Sequence, residues 1–142
     1  MILRRLSRNL RIMSNLLLVD TRAFLWMGMQ PKSLPVRVRG VIEDSENQLF
    51  LSVASIWEIS IKKSLGKLKL PVPTTAFVNS LVALGGIEIL TIDTDHAIGV
   101  EELERIHGDP FDRLLVSQAR HLGLSVISSD SVFDSYKVKR IW

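Results

Sequence analysis

The chain has 142 residues, 46% hydrophobic and 23% charged, the composition and length of one globular domain. It has no cysteine, which excludes a disulfide scaffold, thiolate zinc sites and cysteine nucleophiles. The net charge of +3 sits at one end: Arg4, Arg5, Arg8 and Arg11 have no acid among them, and the remaining 14 basic and 15 acidic groups leave a net of −1.

Residues 1–14 therefore read as a basic extension, flexible or an over-long start with Met13 as the alternative first residue, and residues 15–142 as the folded domain. Such an arm can hold phosphate backbones without specificity. Leu16 to Val19 is a buried parallel strand by its unbroken apolar run. At four residues it falls far short of the ~18 of a membrane span, and no signal-peptide pattern surrounds it, so a cytoplasmic protein is expected. Helices are predicted over Thr21–Met27 and Val36–Glu43, with a proline loop between them. A second strand, Gln48–Val53, leads into a helix, Ala54–Leu65, that Gly66 terminates. Lys67–Pro71 is extended, and the helix Thr74–Leu84 stops at Gly85-Gly86. A third strand, Ile87–Ile92, precedes a helix over Asp93–Arg105. Asp109-Pro110 opens a helix running to His121. Strands Leu124–Ser128 and Lys137–Ile141 complete the chain. Strands alternating with helices give an α/β fold with a mainly parallel sheet of about five strands, covered on both faces.

In such sheets reactive groups gather beyond the carboxyl ends of the strands. Asp20 ends the first strand, Glu58 lies a helical turn after the second, Asp112 opens the helix leading to the fourth, and Asp130 follows the fourth. Each has an ordinary reading as well. Asp20 can cap a helix. Glu58 can pair with Lys62 four residues on. Asp112 fits a capping arrangement with Asp109 and Pro110. Asp130 can start a turn. Four carboxylates in one crevice repel, by about 2.4 kcal/mol per pair at ~7 Å and an effective dielectric of ~20. They must protonate in part, find cations (Arg22, Lys62 and Arg113 are nearest in sequence), or bind a divalent ion. All-oxygen ligands without thiolate favour Mg²⁺ or Mn²⁺.

Five segments resemble those of PIN-domain nucleases, in order and approximate spacing. They are Leu17–Trp26, Ala54–Ile59, Ser64–Pro71, Asp109–Ala119 and Ile127–Asp130. The third and fourth are similar to those of the VapC-type toxins of toxin–antitoxin pairs. The resemblance implies a three-layer α/β/α domain and Mg²⁺- or Mn²⁺-dependent endoribonuclease activity on RNA. It also implies a cognate antitoxin, and a homodimer or a toxin–antitoxin hetero-oligomer. Carried over by position, the catalytic and metal-binding residues are Asp20, Glu58, Asp112 and Asp130. Arg22 departs from the histidine usual in the subgroup, and Ser128 from threonine.

Asp20 and Asp112 are expected to hold the principal ion, with Glu58 and Asp130 completing a second site or orienting water. Thr21, Ser55 and Ser128 are the supporting hydroxyls, helix capping and turns being their other reading. Arg22, Lys62, Lys67 and Arg113 are candidates for RNA phosphate, although lysines at a helix end also serve the helix dipole. His107 is placed near the rim; His96 and His121 read as ordinary helix positions. The segment Pro31–Glu43 and the helix Thr74–Leu84 have apolar faces that suit either core packing or a partner. Three other functions fit an acidic α/β crevice: a PIN nuclease of RNA processing without an antitoxin, a fold-retaining binding partner, and a Mg²⁺-binding receiver module. Asp20 lacks the acidic neighbour, and the fourth strand the following lysine, that a receiver needs.

Overall fold

The computed structural model describes residues 15–142; the arginine-rich extension lies outside the described residues. Five strands form one parallel sheet: β1 (Leu16–Val19), β2 (Gln48–Ser52), β3 (Ile87–Leu90), β4 (Ser125–Ile127) and β5 (Arg140–Ile141), in the order β3-β2-β1-β4-β5. The unbroken apolar run of β1 fits its central place. Side chains along a strand alternate between faces, so four consecutive apolar residues need an apolar layer on each side.

Both layers are present. Leu16 and Leu18 join Phe50, Leu115, Val116, Phe133 and Tyr136 in one cluster. Leu17 and Val19 join Phe24, Val38, Leu49, Leu51 and Phe77 in the other. The second layer is built by α1 (Thr21–Met29), α2 (Val36–Glu43) and α4 (Thr74–Gly85). The first is built mainly by α6 (Pro110–Leu122) and α7 (Val132–Ser135). Helix α3 (Val53–Ser64) gives Ala54 to one cluster and Ile59 to the other, so it touches both layers. This is the expected three-layer α/β/α architecture.

The order of strands fixes where chemistry can sit. From β1 the chain moves outward through β2 to β3, then returns across the sheet to β4 on the other side of β1. The reversal leaves a crevice beyond the carboxyl ends of β1 and β4. Their ends are tied together, since the Asp20 N–H donates to the Ile127 carbonyl at 3.0 Å.

Strand β3 ends at Leu90, two residues short of the expected Ile92, helix α7 was not expected, and three further elements differ. The helix over Asp93–Arg105 is a six-residue helix, α5 (Thr94–Gly99), followed by a 3₁₀ turn at Val100–Glu102. Gly99 is packed so closely that a Cβ there would meet His121 Cε1 at 2.5 Å and Ser117 Oγ at 2.7 Å. Strand β5 begins at Arg140 rather than Lys137, because Lys137 takes a left-handed backbone (φ 60°) that no strand accommodates. Strand β2 stops at Ser52, whose hydroxyl accepts from the Ala54 N–H at 3.0 Å and starts α3. Among the described residues, no helix is long and apolar enough to cross a membrane.

Candidate active site

The crevice contains a cavity of about 190 Å³, lined by Asp20, Thr21, Arg22, Leu25, Glu58, Lys62, Asp109, Asp112, Ser129 and Asp130. All four carboxylates singled out in the sequence face this one space, although 110 residues separate the first from the last.

Asp20 does two things at once. Its Oδ1 accepts from the Ala23 N–H at 2.8 Å and caps α1, the ordinary reading of a strand-end aspartate. Its carboxylate also lines the cavity, where it is 6% exposed. Burial raises its pKa; hydrogen bonds from Ser128 and the Ala23 N–H, and the Arg22 charge, pull the other way, while Glu58 adds a further upward push. The Ser128 hydroxyl also accepts from the Asp130 N–H at 2.9 Å, so one side chain joins the ends of β1 and β4.

Glu58 is buried by its place on α3 and held at both oxygens. The Thr21 hydroxyl donates to Oε1 at 2.6 Å and lies 2.9 Å from Ser55 Oγ. Lys62, one turn further along, donates to Oε2 at 2.7 Å. The i,i+4 pair expected as the ordinary reading is therefore present, with Glu58 buried and Lys62 half in solvent where it lines the cavity.

Asp112 is freed by its neighbour. Asp109 Oδ1 accepts from the Phe111 and Asp112 N–H groups at 2.9 and 3.1 Å, capping α6 so that the Asp112 carboxylate is not needed for it. Burial, together with the Asp109 charge, pushes the Asp112 pKa up to about 6; His107 opposes this from 3.3 Å, and Glu58 adds to it. His107 is itself fixed, its Nδ1 lying 2.6 Å from the Tyr136 hydroxyl. Asp130 is more exposed at the rim, where Oδ1 accepts from the Val132 N–H at 3.0 Å.

The cations divide. Arg22 and Lys62 line the cavity; Arg22 also lies over the Trp26 ring at 5.9 Å. Lys67 is exposed beyond the Gly66 turn and is not among the lining residues. Arg113 is turned away from the carboxylates. Its guanidinium donates to the Glu104 carbonyl at 2.9 Å, the Tyr136 hydroxyl at 3.0 Å and the Val100 carbonyl at 3.3 Å. These neutral oxygens, rather than an acid, engage the half-buried Arg113 guanidinium, and Arg113 is not among the residues lining the acidic cavity. Sequence reading treated Asp109 only as a cap and missed it as a fifth acid on the cavity. The signal was its spacing, three residues before Asp112 across a proline.

A PIN domain profile matches residues 17–139. The chain belongs to the PIN domain family. Over 58 residues it is 38% identical to ribonuclease VapC16 of Mycobacterium tuberculosis, a match covering 41% of each chain, so the matched region is about two fifths of that relative's length. Its fold is similar to that in VapBC2 of Rickettsia felis bound to a promoter DNA fragment, with TM-score 0.70, 12% identity, and 89% of this chain and 97% of that one covered. It is also similar to that in a toxin–antitoxin complex of Klebsiella pneumoniae, with TM-score 0.58, 16% identity, and 88% and 95% covered. The resemblance drawn from five short segments is thus borne out at the level of family and fold.

The cavity of this PIN domain fits a hard divalent cation by its donor set. Its acids are all-oxygen ligands, two of them with proton affinity raised by burial; among the described residues Glu58 pairs with Lys62 at 2.7 Å and Asp112 faces His107 at 3.3 Å. Among the described residues, no three acids converge tightly enough to form a ready cage. Mg²⁺ is held in many sites by one or two carboxylates, water filling its remaining positions.

Proposed function

We propose that this PIN domain is a divalent-metal-dependent endoribonuclease that hydrolyses RNA phosphodiester bonds in the cytoplasm, as the toxin of a toxin–antitoxin pair. The observation carrying the reading is the cavity at the β1/β4 crevice, lined by Asp20, Glu58, Asp112 and Asp130 from four separate segments of the chain. The name of the ribonuclease relative and the assemblies of the structural neighbours support the activity and the partner.

Asp20 and Asp112 are the ion's protein ligands in this reading. When bound, a divalent cation supplies Lewis-acid stabilisation of charge developing on the scissile phosphate. Glu58 and Asp130 accept hydrogen bonds from, and so orient, the attacking water. Thr21 and Lys62 fix both Glu58 oxygens, so that carboxylate is positioned before substrate arrives. Arg22 at the rim meets substrate phosphate. An antitoxin that offers an arginine to the same carboxylates would balance their charge and close the site, in a hetero-oligomer with one or two toxin chains.

The test is a panel of structured RNAs incubated with the wild type and Asp20→Asn, in Mg²⁺ and in EDTA. Cleavage is expected only with the wild type and metal, the variant losing on the order of 100-fold or more. Cleavage in EDTA, or full activity in the variant, would overturn the reading. Growth arrest on expression, relieved by the product of a neighbouring small gene, tests the toxin role separately.

A further inference from the structure

Trp57 is 58% exposed on α3, whereas Ala54, Ser55, Glu58 and Ile59 of the same helix are buried and Ile56 is half-buried. Its ring meets that of Phe111 on α6, with centroids 5.3 Å apart and planes at 72°. Trp57 directly precedes Glu58 and Phe111 directly precedes Asp112, so the pair lies across α3 and α6 beside two of the cavity's acids. Consecutive Cα atoms are ~3.8 Å apart and successive helical side chains diverge by about 100°. The indole is therefore turned away from the direction of Glu58, and neither ring is among the residues lining the cavity. The edge-on geometry leaves more than half of Trp57 in water, and Phe111 beneath it is held at its backbone by Asp109.

We infer that Trp57, supported by Phe111, is a stacking face for a base of single-stranded RNA next to the scissile phosphate. This rests on the nuclease reading above. The cavity carries five acids and two lining cations, one of them paired with Glu58, and Arg113 is engaged elsewhere. Its net field therefore repels phosphate, and an RNA held there needs a contact that does not depend on charge. Stacking is indifferent to that field and to base identity. A rigid indole beside the acids supplies grip where the local electrostatics do not.

Steady-state cleavage in Mg²⁺ tests it, with the wild type, Trp57→Ala and Trp57→Phe, on one cleaved RNA and a series carrying single abasic positions around the cut. Trp57→Ala is expected to raise KM by about 5- to 150-fold with kcat within about twofold, and Trp57→Phe to recover most of the difference. One abasic position is expected to raise the wild-type KM by a similar factor and to add nothing in Trp57→Ala. The abasic series on the wild type needs no variant to fold: a KM indifferent to every abasic position would overturn the inference and leave the nuclease reading intact. So would a Trp57→Ala KM that is unchanged while capture of the co-expressed antitoxin is lost, which would make the pair a protein-docking face. A wild type that cleaves no RNA would remove both readings together.

Discussion

Asp112 carries a stability signature that does not depend on any substrate. Its pKa rises from 3.8 to about 6 on folding, chiefly by burial and then by Asp109. Between those values the folded chain holds the proton more tightly than the unfolded one, so this group's contribution to stability falls as pH rises through that window. In metal-free protein, Asp112→Asn is expected to raise stability at pH 7.5 by about 1–2 kcal/mol after allowance for solvent screening, and to have little effect near pH 4. Urea unfolding at the two pH values measures it; a gain equal at both would contradict the assigned cause. Thr21→Val has the opposite effect. It strips the donor from buried Glu58 Oε1 and a partner from Ser55, and is expected to lower stability by about 1–3 kcal/mol in the same assay. A loss within error would mean that Lys62 alone satisfies Glu58. Asp20 and Glu58 were legible as site residues because each follows an apolar strand at the spacing of a strand end and a first helical turn. The hydroxyl chain from Thr21 was legible only as a guess, since its partners lie 34 and 37 residues away.

Helix α6 shows how capping and chemistry share one segment. Asp109 takes the cap, Pro110 stands at the first helical position, and Asp112 is released into the cavity. Asp109→Ala is expected to lower stability by about 1 kcal/mol, and Asp109→Asn, which keeps the cap without the charge, to restore most of it. Thermal melts of the pair measure this; equal losses would assign the effect to charge. The elements with strong local signals were readable in advance: the β1 run, the Gly66 end of α3, and the proline at the start of α6. The break in the helix over Asp93–Arg105 was not. Gly99 stands at that break, packed so closely against His121 and Ser117 that no side chain fits, and this contact between segments is encoded by no local pattern. The anchoring of Arg113 escaped for the same reason, because Tyr136 lies 23 residues downstream.

At the scale of the whole molecule, the strand order turns separate acids into a site. Strand alternation and apolar runs gave the α/β class and the two covered faces, but the order β3-β2-β1-β4-β5 is a property of long-range pairing. Without it, convergence of Asp20 and Asp130 was an expectation carried by a family resemblance. With it, their meeting is a consequence of β1 and β4 lying side by side. The repulsion foreseen among the acids is met within the chain by three devices: raised pKa values at Asp20 and Asp112, the Lys62 partner of Glu58, and exposure of Asp130. A bound dication would be the fourth. The direct measurement is calorimetric titration of Mn²⁺ into the wild type, Asp20→Asn and Asp112→Asn at pH 7.5, repeated below pH 6. Saturable uptake by the wild type is expected, weakened on the order of 100-fold or more in either variant and weakened again as Asp112 gains its proton. No uptake by the wild type, or equal uptake by all three proteins, would contradict the assignment.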